Sequence, residues 1–310
     1  MDKMSFQIKV QQGDALEVLK KIDSGSIDLL IADPPYNLNK DYGNKSDSQS
    51  FEEYIKFTEA WTKEAVRALK PTGTMYIFMG FRFISYLYKI LEQKHKLNFI
   101  NWICWYYTQG IGKKKGFSPR HDDILMFTKT DKYTFNLDAV RIPQKYYRSV
   151  NNMRGANPGD VWEFSHVHYC QDNRQPHPTQ KPEGLIERMV LASSNPGDFI
   201  IDPFSGSGTT LRVCQQLDRN CLGVELNAEY VQMTKERLSE PFSGFDSIDP
   251  RMERIPNDLN NEKVRKKYLE DHKNWFLDNH PEAVEIFEQK VQGKYGDKVN
   301  KNLNLFADIQ

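Results

Sequence analysis

Short apolar runs that stop on a proline or glycine turn alternate along this chain with helix-length amphipathic stretches, a β-α-β alternation that points to an α/β fold. Phe6 to Val10 reads as a strand and Ala15 to Lys21 as a helix. Ile27 to Ala32 is an apolar run of strand length that halts at Asp33-Pro34-Pro35-Tyr36. The polar segment from Asn37 to Ser50 follows, where a lid would be. Phe51 to Leu69 has helical spacing with Pro71-Thr72-Gly73 as its stop, and Thr74 to Met79 is a buried strand. A helix over Arg82 to Gln93 and strands at Asn101 to Tyr107 and Ile124 to Thr128 continue the pattern. It returns with a helix at Pro182 to Ser193, a strand at Phe199 to Asp202, a helix at Thr209 to Leu217, a strand at Cys221 to Glu225 and a helix at Ala228 to Leu238. Seven strands are predicted.

Between these halves, Lys129 to Gln175 loses periodicity and turns aromatic, basic and turn-rich, so it reads as an insertion with a function of its own. The predicted organisation is therefore a first half of the α/β domain at 1–128, an insertion at 129–175, a second half of that domain at 176–240, and a linker with a helical extension at 241–310. The extension carries two predicted helices, Glu262 to Leu277 and Pro281 to Lys290. With 310 residues, 39% hydrophobic and 12% aromatic, the chain can bury a core and is not disordered. No apolar run approaches the roughly 18 residues of a membrane span, and Met1 to Val10 lacks the segments of a signal peptide, so a cytoplasmic protein is expected. Cys104, Cys170, Cys214 and Cys221 form no Cys-x-x-Cys pair and are expected to be buried small hydrophobes. His166-Val167-His168-Tyr169-Cys170 alternates like one strand face, and no metal is expected there. Lys plus Arg and Asp plus Glu both number 42, yet from Gly112 to Lys181 there are 12 basic against 7 acidic residues. A local cationic surface of this kind suits a phosphate backbone.

Asp202-Pro203-Phe204-Ser205-Gly206-Ser207-Gly208-Thr209-Thr210 follows an apolar strand and opens a helix, a context in which glycines let backbone approach a ligand and the helix N-terminus offers unpaired N–H groups. No lysine follows, so it is not a phosphate loop, and Leu211 stands where a dinucleotide fingerprint would place its third glycine. The ligand should carry a carboxylate or amino acid where a dinucleotide carries pyrophosphate. Glu225, 23 residues after Asp202, is at the offset where an acid meets ribose hydroxyls. The rival cluster Gly110-Ile111-Gly112-Lys113-Lys114-Lys115-Gly116 lacks a following Ser or Thr and a prompt helix, and reads as a basic loop.

Asp33-Pro34-Pro35-Tyr36 has a logic of its own if the substrate is an aromatic amine. The lone pair of an exocyclic amino nitrogen is delocalised into its ring. A carboxylate (Asp33) and a backbone carbonyl (Pro34) can together accept both N–H hydrogens and favour a pyramidal nitrogen. The prolines fix φ and aim that carbonyl, and Tyr36 offers a face for an extruded base.

Together these two motifs resemble the paired signature of S-adenosylmethionine-dependent amino-methyltransferases acting on DNA. Their order, tetrapeptide first and glycine turn second with an insertion between, resembles the β class of N6-adenine DNA methyltransferases of bacterial restriction-modification and orphan systems. Gly13-Asp14-Ala15-Leu16, His177-Pro178-Thr179-Gln180-Lys181-Pro182 and Gly223-Val224-Glu225-Leu226-Asn227 agree, and the likeness covers about residues 5 to 240. It implies a circularly permuted Rossmann-like methyltransferase fold, a mostly parallel seven-stranded sheet with one antiparallel strand. It also implies S-adenosyl-L-methionine as cofactor, with Phe204, Gly206 and Gly208 at its methionine end, Glu225 at its ribose, Asp14 near its adenine, and Thr179 and Lys181 flanking. Ala15, Asp33, Asp202, Ser205, Ser207, Thr209, Leu226 and Asn227 complete the implied pocket. Asp33, Pro34, Pro35 and Tyr36 are the implied catalytic set, acting on N6 of a flipped-out adenine in double-stranded DNA. Lys113, Lys114, Lys115, Arg120, Arg141, Arg148, Asn151, Asn152 and Arg154 are candidate DNA contacts. A homodimer and a cognate restriction endonuclease are expected partners. N4-cytosine methylation is the nearest alternative, in which Ser tends to replace the first Asp of the tetrapeptide. RNA or protein-glutamine methylation and a silent DNA-binding subunit stand further off.

Overall fold

A computed structural model of the chain describes residues 6–37, 48–108, 112–142, 155–167 and 175–241. Residues 38–47 of the expected lid segment at Asn37 to Ser50, the tail helices, His168 to Cys170, and Arg148, Asn151, Asn152 and Arg154 lie outside the described residues. The chain divides into two compact units, residues 1–136 with 160–247, and residues 137–159 with 248–310. The second contributes a 3-10 turn at Leu137–Ala139 and an antiparallel bridge from Ile142 to Ala156. The first contains the sheet and the six α-helices of the described chain.

Its strands are β1 (Ile8–Gln12), β2 (Ile27–Ala32), β3 (Leu69–Met79), β4 (Asn98–Tyr106), β5 (His121–Thr128), β6 (Val161–Glu163), β7 (Phe199–Asp202) and β8 (Asn220–Glu225). They form one sheet in the order β1-β8-β7-β2-β3-β5-β4-β6. Every described pairing is parallel except those of β5, which runs against both β3 and β4. The helices are α1 (Ala15–Leu19), α2 (Phe51–Ala68), α3 (Ile84–Lys89), α4 (Glu183–Ser193), α5 (Thr209–Gln216) and α6 (Ala228–Ser239).

Central strands covered on both faces read as unbroken apolar runs. Leu29, Leu30, Ile31 and Ala32 of β2 and Met75 to Met79 of β3 are accordingly buried. Helix α2 starts on a capping box, in which Ser50 Oγ accepts from Glu53 N at 3.2 Å and Glu53 Oε2 accepts from Ser50 N at 3.0 Å. Its inner face, Tyr54, Thr58, Trp61, Thr62, Ala65 and Ala68, keeps helical spacing.

Three expectations need correction. The sheet has eight strands, the additional one being β6, whose three residues are too few to show alternation. Pro71-Thr72-Gly73 does not end the preceding helix: α2 ends at Ala68, Leu69 is already extended at φ −66° and ψ 134°, and the turn residues lie inside β3. There the register with β2 slips, from Ile27 opposite Leu69 to Leu29 opposite Thr74, so the extra residues bulge from the ladder. The helix expected over Arg82 to Gln93 is α3 followed by a π turn at Ile90–Lys94. Cys214 and Cys221 are buried and Cys104 is partly so, all three as free thiols.

Candidate active site

Parallel pairing brings the C-terminal ends of β2, β3, β4, β7 and β8 to one edge of the sheet. Leu30 of β2 pairs with Ile201 of β7, and Asp202 with Gly223 of β8. Asp33 therefore leaves β2 beside the turn that leaves β7, which is the crevice where open α/β sheets bind ligands. A cavity of about 610 Å³ opens there, within the size range of small-molecule sites.

The tetrapeptide forms one wall. Tyr36 donates from its hydroxyl to Asp33 Oδ1 at 2.8 Å, and the Lys181 ammonium ion-pairs with Asp33 Oδ2. Lys181 also lies 5.1 Å from the Phe78 ring centroid, 5.9 Å from that of Tyr36 and 6.0 Å from that of Trp105. These faces hold the cation by charge and quadrupole attraction together. Pro35 is held from behind, where Tyr54 of α2 donates to its carbonyl at 2.7 Å. The lock on the tetrapeptide is thus a helix side chain that by spacing alone reads as core.

The glycine turn forms the opposite wall. Gly206 has φ +49°, and a Cβ on it would sit 2.9 Å from His177 Nε2, so glycine is demanded by both backbone and space. Its N–H donates to Glu225 Oε2 at 2.9 Å, while Glu225 Oε1 accepts from Asn227 N at 2.8 Å. Gly13 N donates to the Glu225 carbonyl at 3.0 Å, tying the first motif to the last. Beneath the turn lies a buried group that pattern reading missed: Arg237 of α6 donates to Ser207 O at 2.9 Å and to Glu183 Oε1 at 2.6 Å, with Arg212 Nε 3.4 Å from the same carboxylate oxygen. Isolated charges on helices ordinarily mark wet faces, and only the fold brings these three together.

Asp14, Asp33, Asp202 and Glu225 line the cavity against a single lysine, Lys181. Burial pushes the Asp202 carboxyl up to about 7, and the charges of Asp33 and Glu225 add to the rise despite donation from Thr210 Oγ1 at 2.6 Å and Phe204 N at 3.1 Å. Burial likewise raises Glu225. So acidic a wall repels phosphate and attracts a cation.

Ala15, Pro34, Thr179, Phe204, Ser205, Ser207, Thr209 and Leu226 also line the cavity, as do Phe57, His177 and Tyr230, which the motif reading did not assign to it. Asp14 lines it while its Oδ1 caps α1 by accepting from Glu17 N at 3.0 Å. Two assigned residues sit elsewhere. Gly208 is not among the lining residues; it has φ +75°, and a Cβ there would lie 2.4 Å from Thr234 Cγ2, so packing of α6 demands it. Asn227 caps α6, is not among the lining residues, and donates from its N–H to Glu225, which is. Of the candidate DNA contacts, Lys113, Lys114 and Lys115 are exposed and Arg120 is half-buried. Arg141 is turned inward, its Nε 2.6 Å from Asp138 and its NH1 donating to Gly155 O at 3.0 Å. Among the described residues there is no group of three metal-ligating side chains.

Residues 27–236 match the family N6_N4_Mtase, described as DNA methylase. This chain belongs to that DNA methylase family. The methylase is 60% identical over 296 residues to the type II methyltransferase M.HpaI of Haemophilus parainfluenzae, covering 95% of this chain and 94% of that one. It is 38% identical over 240 residues to the DNA adenine methyltransferase YhdJ of Escherichia coli (strain K12), covering 73% and 81%. Among solved structures, the M1.HpyAVI-SAM complex superposes with a TM-score of 0.56 at 26% identity, covering 76% of this methylase and 100% of that chain. The fold is the circularly permuted, Rossmann-like methyltransferase fold, here with eight strands of which one is antiparallel.

Proposed function

We propose that this methylase transfers a methyl group from S-adenosyl-L-methionine to N6 of an adenine turned out of double-stranded DNA. The observation that carries this reading is a single cavity walled on one side by the Asp33 carboxylate and on the other by Gly206 and Glu225. Its acidic lining suits a ligand bearing a sulfonium and an ammonium group, and Gly206 and His177, packed against each other, stand together in its wall. Glu225, clamped by two backbone N–H groups, is set to accept ribose hydroxyls, and Asp14 and Leu226 stand on the same side. Bound there, S-adenosyl-L-methionine supplies an activated methyl carbon.

The chain's own residues do the rest. Asp33 accepts one hydrogen of the amino group and the Pro34 carbonyl the other, which frees the nitrogen lone pair from its ring. Asp33 then stabilises the cationic nitrogen and takes the proton it sheds. The Tyr36 ring stacks the extruded base. Lys181 orients Asp33 until the amino group arrives. An Asp at the head of the tetrapeptide favours adenine over cytosine, and the adenine-specific name of YhdJ supports the same choice.

The type II name of M.HpaI supports a companion restriction endonuclease cutting the site that this methylase protects. A second copy of the chain as partner, and a cytoplasmic location, rest on the family likeness. No helix among the described residues is long and apolar enough to cross a membrane. The test is transfer of labelled methyl from S-adenosyl-L-methionine to DNA, RNA and protein, with identification of the modified group. Label in N6-methyladenine of duplex DNA is expected. Label in N4-methylcytosine, in RNA or in protein would overturn the reading.

A further inference from the structure

The connection between β4 and β5 leaves the sheet at the edge that carries Asp33. Tyr106 pairs with His121, Met79 at the end of β3 pairs with Asp123, and β4 runs parallel to β2. The Tyr107 N–H extends the ladder by donating to Arg120 O at 2.9 Å. Above it the tip is closed by Lys113 N donating to Ser118 Oγ at 2.8 Å, and Gly116 turns it with φ +81°. A Cβ on Gly112 or Gly116 would meet nothing within 4 Å, so this turn stands clear of the domain. At its head Phe117 is 99% exposed, the most exposed large hydrophobic among the described residues, separated by Gly116 from the exposed Lys113, Lys114 and Lys115.

The Phe117 ring packs into no core of the described residues, and three lysines beside it define the charge of what would cover it. We propose that Phe117 is a wedge that enters the base stack of duplex DNA next to the target adenine, while Lys113 to Lys115 hold the flanking phosphates. Apolar side chains presented on basic loops part base steps in this way. Turning a base out leaves a gap in the stack, and a ring that fills it lowers the free energy of the extruded state. This inference rests on the methyl-transfer reading and adds the part that opens the duplex, which nothing in the cavity supplies.

The test compares the wild type with Phe117→Ala and Phe117→Trp on two duplexes containing the site that the wild type methylates. One is fully paired. In the other the target adenine faces an abasic position and is already unpaired, which lowers the cost of turning it out. For Phe117→Ala, kcat/KM on the paired duplex should fall about tenfold or more, and on the unpaired duplex it should stay within about threefold of wild type. Phe117→Trp should restore the paired substrate. With 2-aminopurine at the target position, the fluorescence rise on binding should be lost in Phe117→Ala and kept in Phe117→Trp. Wild-type activity of Phe117→Ala on the paired duplex, or an equal loss on both, would overturn the wedge. Failure of the wild type to methylate either duplex would instead overturn the reading on which it rests.

Discussion

The ammonium of Lys181 and the carboxylate of Asp33, 148 positions apart in the chain, form an ion pair inside the cavity. With Tyr36 on Oδ1 and Lys181 on Oδ2, each carboxylate oxygen already accepts from a side chain, and on the proposed reading an incoming amino group joins or displaces one of these contacts. In the proposed mechanism Lys181 is a positioning residue that fixes the carboxylate's angle.

Lys181→Met should lower kcat about 10- to 100-fold, because the carboxylate loses a charge-assisted hydrogen bond and rotates about its remaining contact. Lys181→Arg keeps the charge but not the point geometry and should fall between. Steady-state kinetics with the methyl donor varied checks this. A fall confined to kcat fits a positioning role, and a rise confined to the donor's KM would make Lys181 a cofactor-binding residue only.

The raised Asp202 carboxyl gives a pH dependence whose sign is fixed. Folding favours its protonated form, so this group's contribution to stability is full below about pH 4, is lost as pH rises to about 7, and is constant above. Relative to wild type, Asp202→Asn should gain stability between pH 4 and 7, on the order of a few kcal/mol, as read by urea denaturation at successive pH values. A cation favours the ionised form, so affinity for S-adenosyl-L-methionine should strengthen as pH rises through about 7 in the wild type and less so in Asp202→Asn. Calorimetry across that range reads the difference.

Arg237→Met should destabilise the fold by about 3 kcal/mol, since it leaves the buried Glu183 carboxylate with less compensation. The Ser207 carbonyl loses its donor as well, so cofactor affinity should fall with stability. Urea denaturation with a parallel binding titration measures both.

What sequence conveyed of this site follows from how local each signal is. The strand-ending Asp33 and Asp202 and the turn at Gly206 are legible because their residues are contiguous and sit where an apolar run stops. Tyr54, Arg237 and Glu183 are not, since a helix pattern shows which face is inward without showing which strand-end carbonyl or carboxylate that face meets. The motif places Gly208 at the ligand, while its φ of +75° and the approach of Thr234, on a helix 26 positions later, give a packing reason for the glycine that no motif shows. β6 escaped because three residues carry no period, and its place is set by pairing with β4.

The central claim, that the carboxylate at position 33 acts on an amino nitrogen brought up to the Gly206 wall, is tested most directly by Asp33→Ala in two parallel measurements, labelled methyl transfer to DNA and binding of S-adenosyl-L-methionine. Methyl transfer should fall by about a thousandfold or more while cofactor affinity stays within about tenfold of wild type. Transfer at the wild-type rate by Asp33→Ala would contradict it.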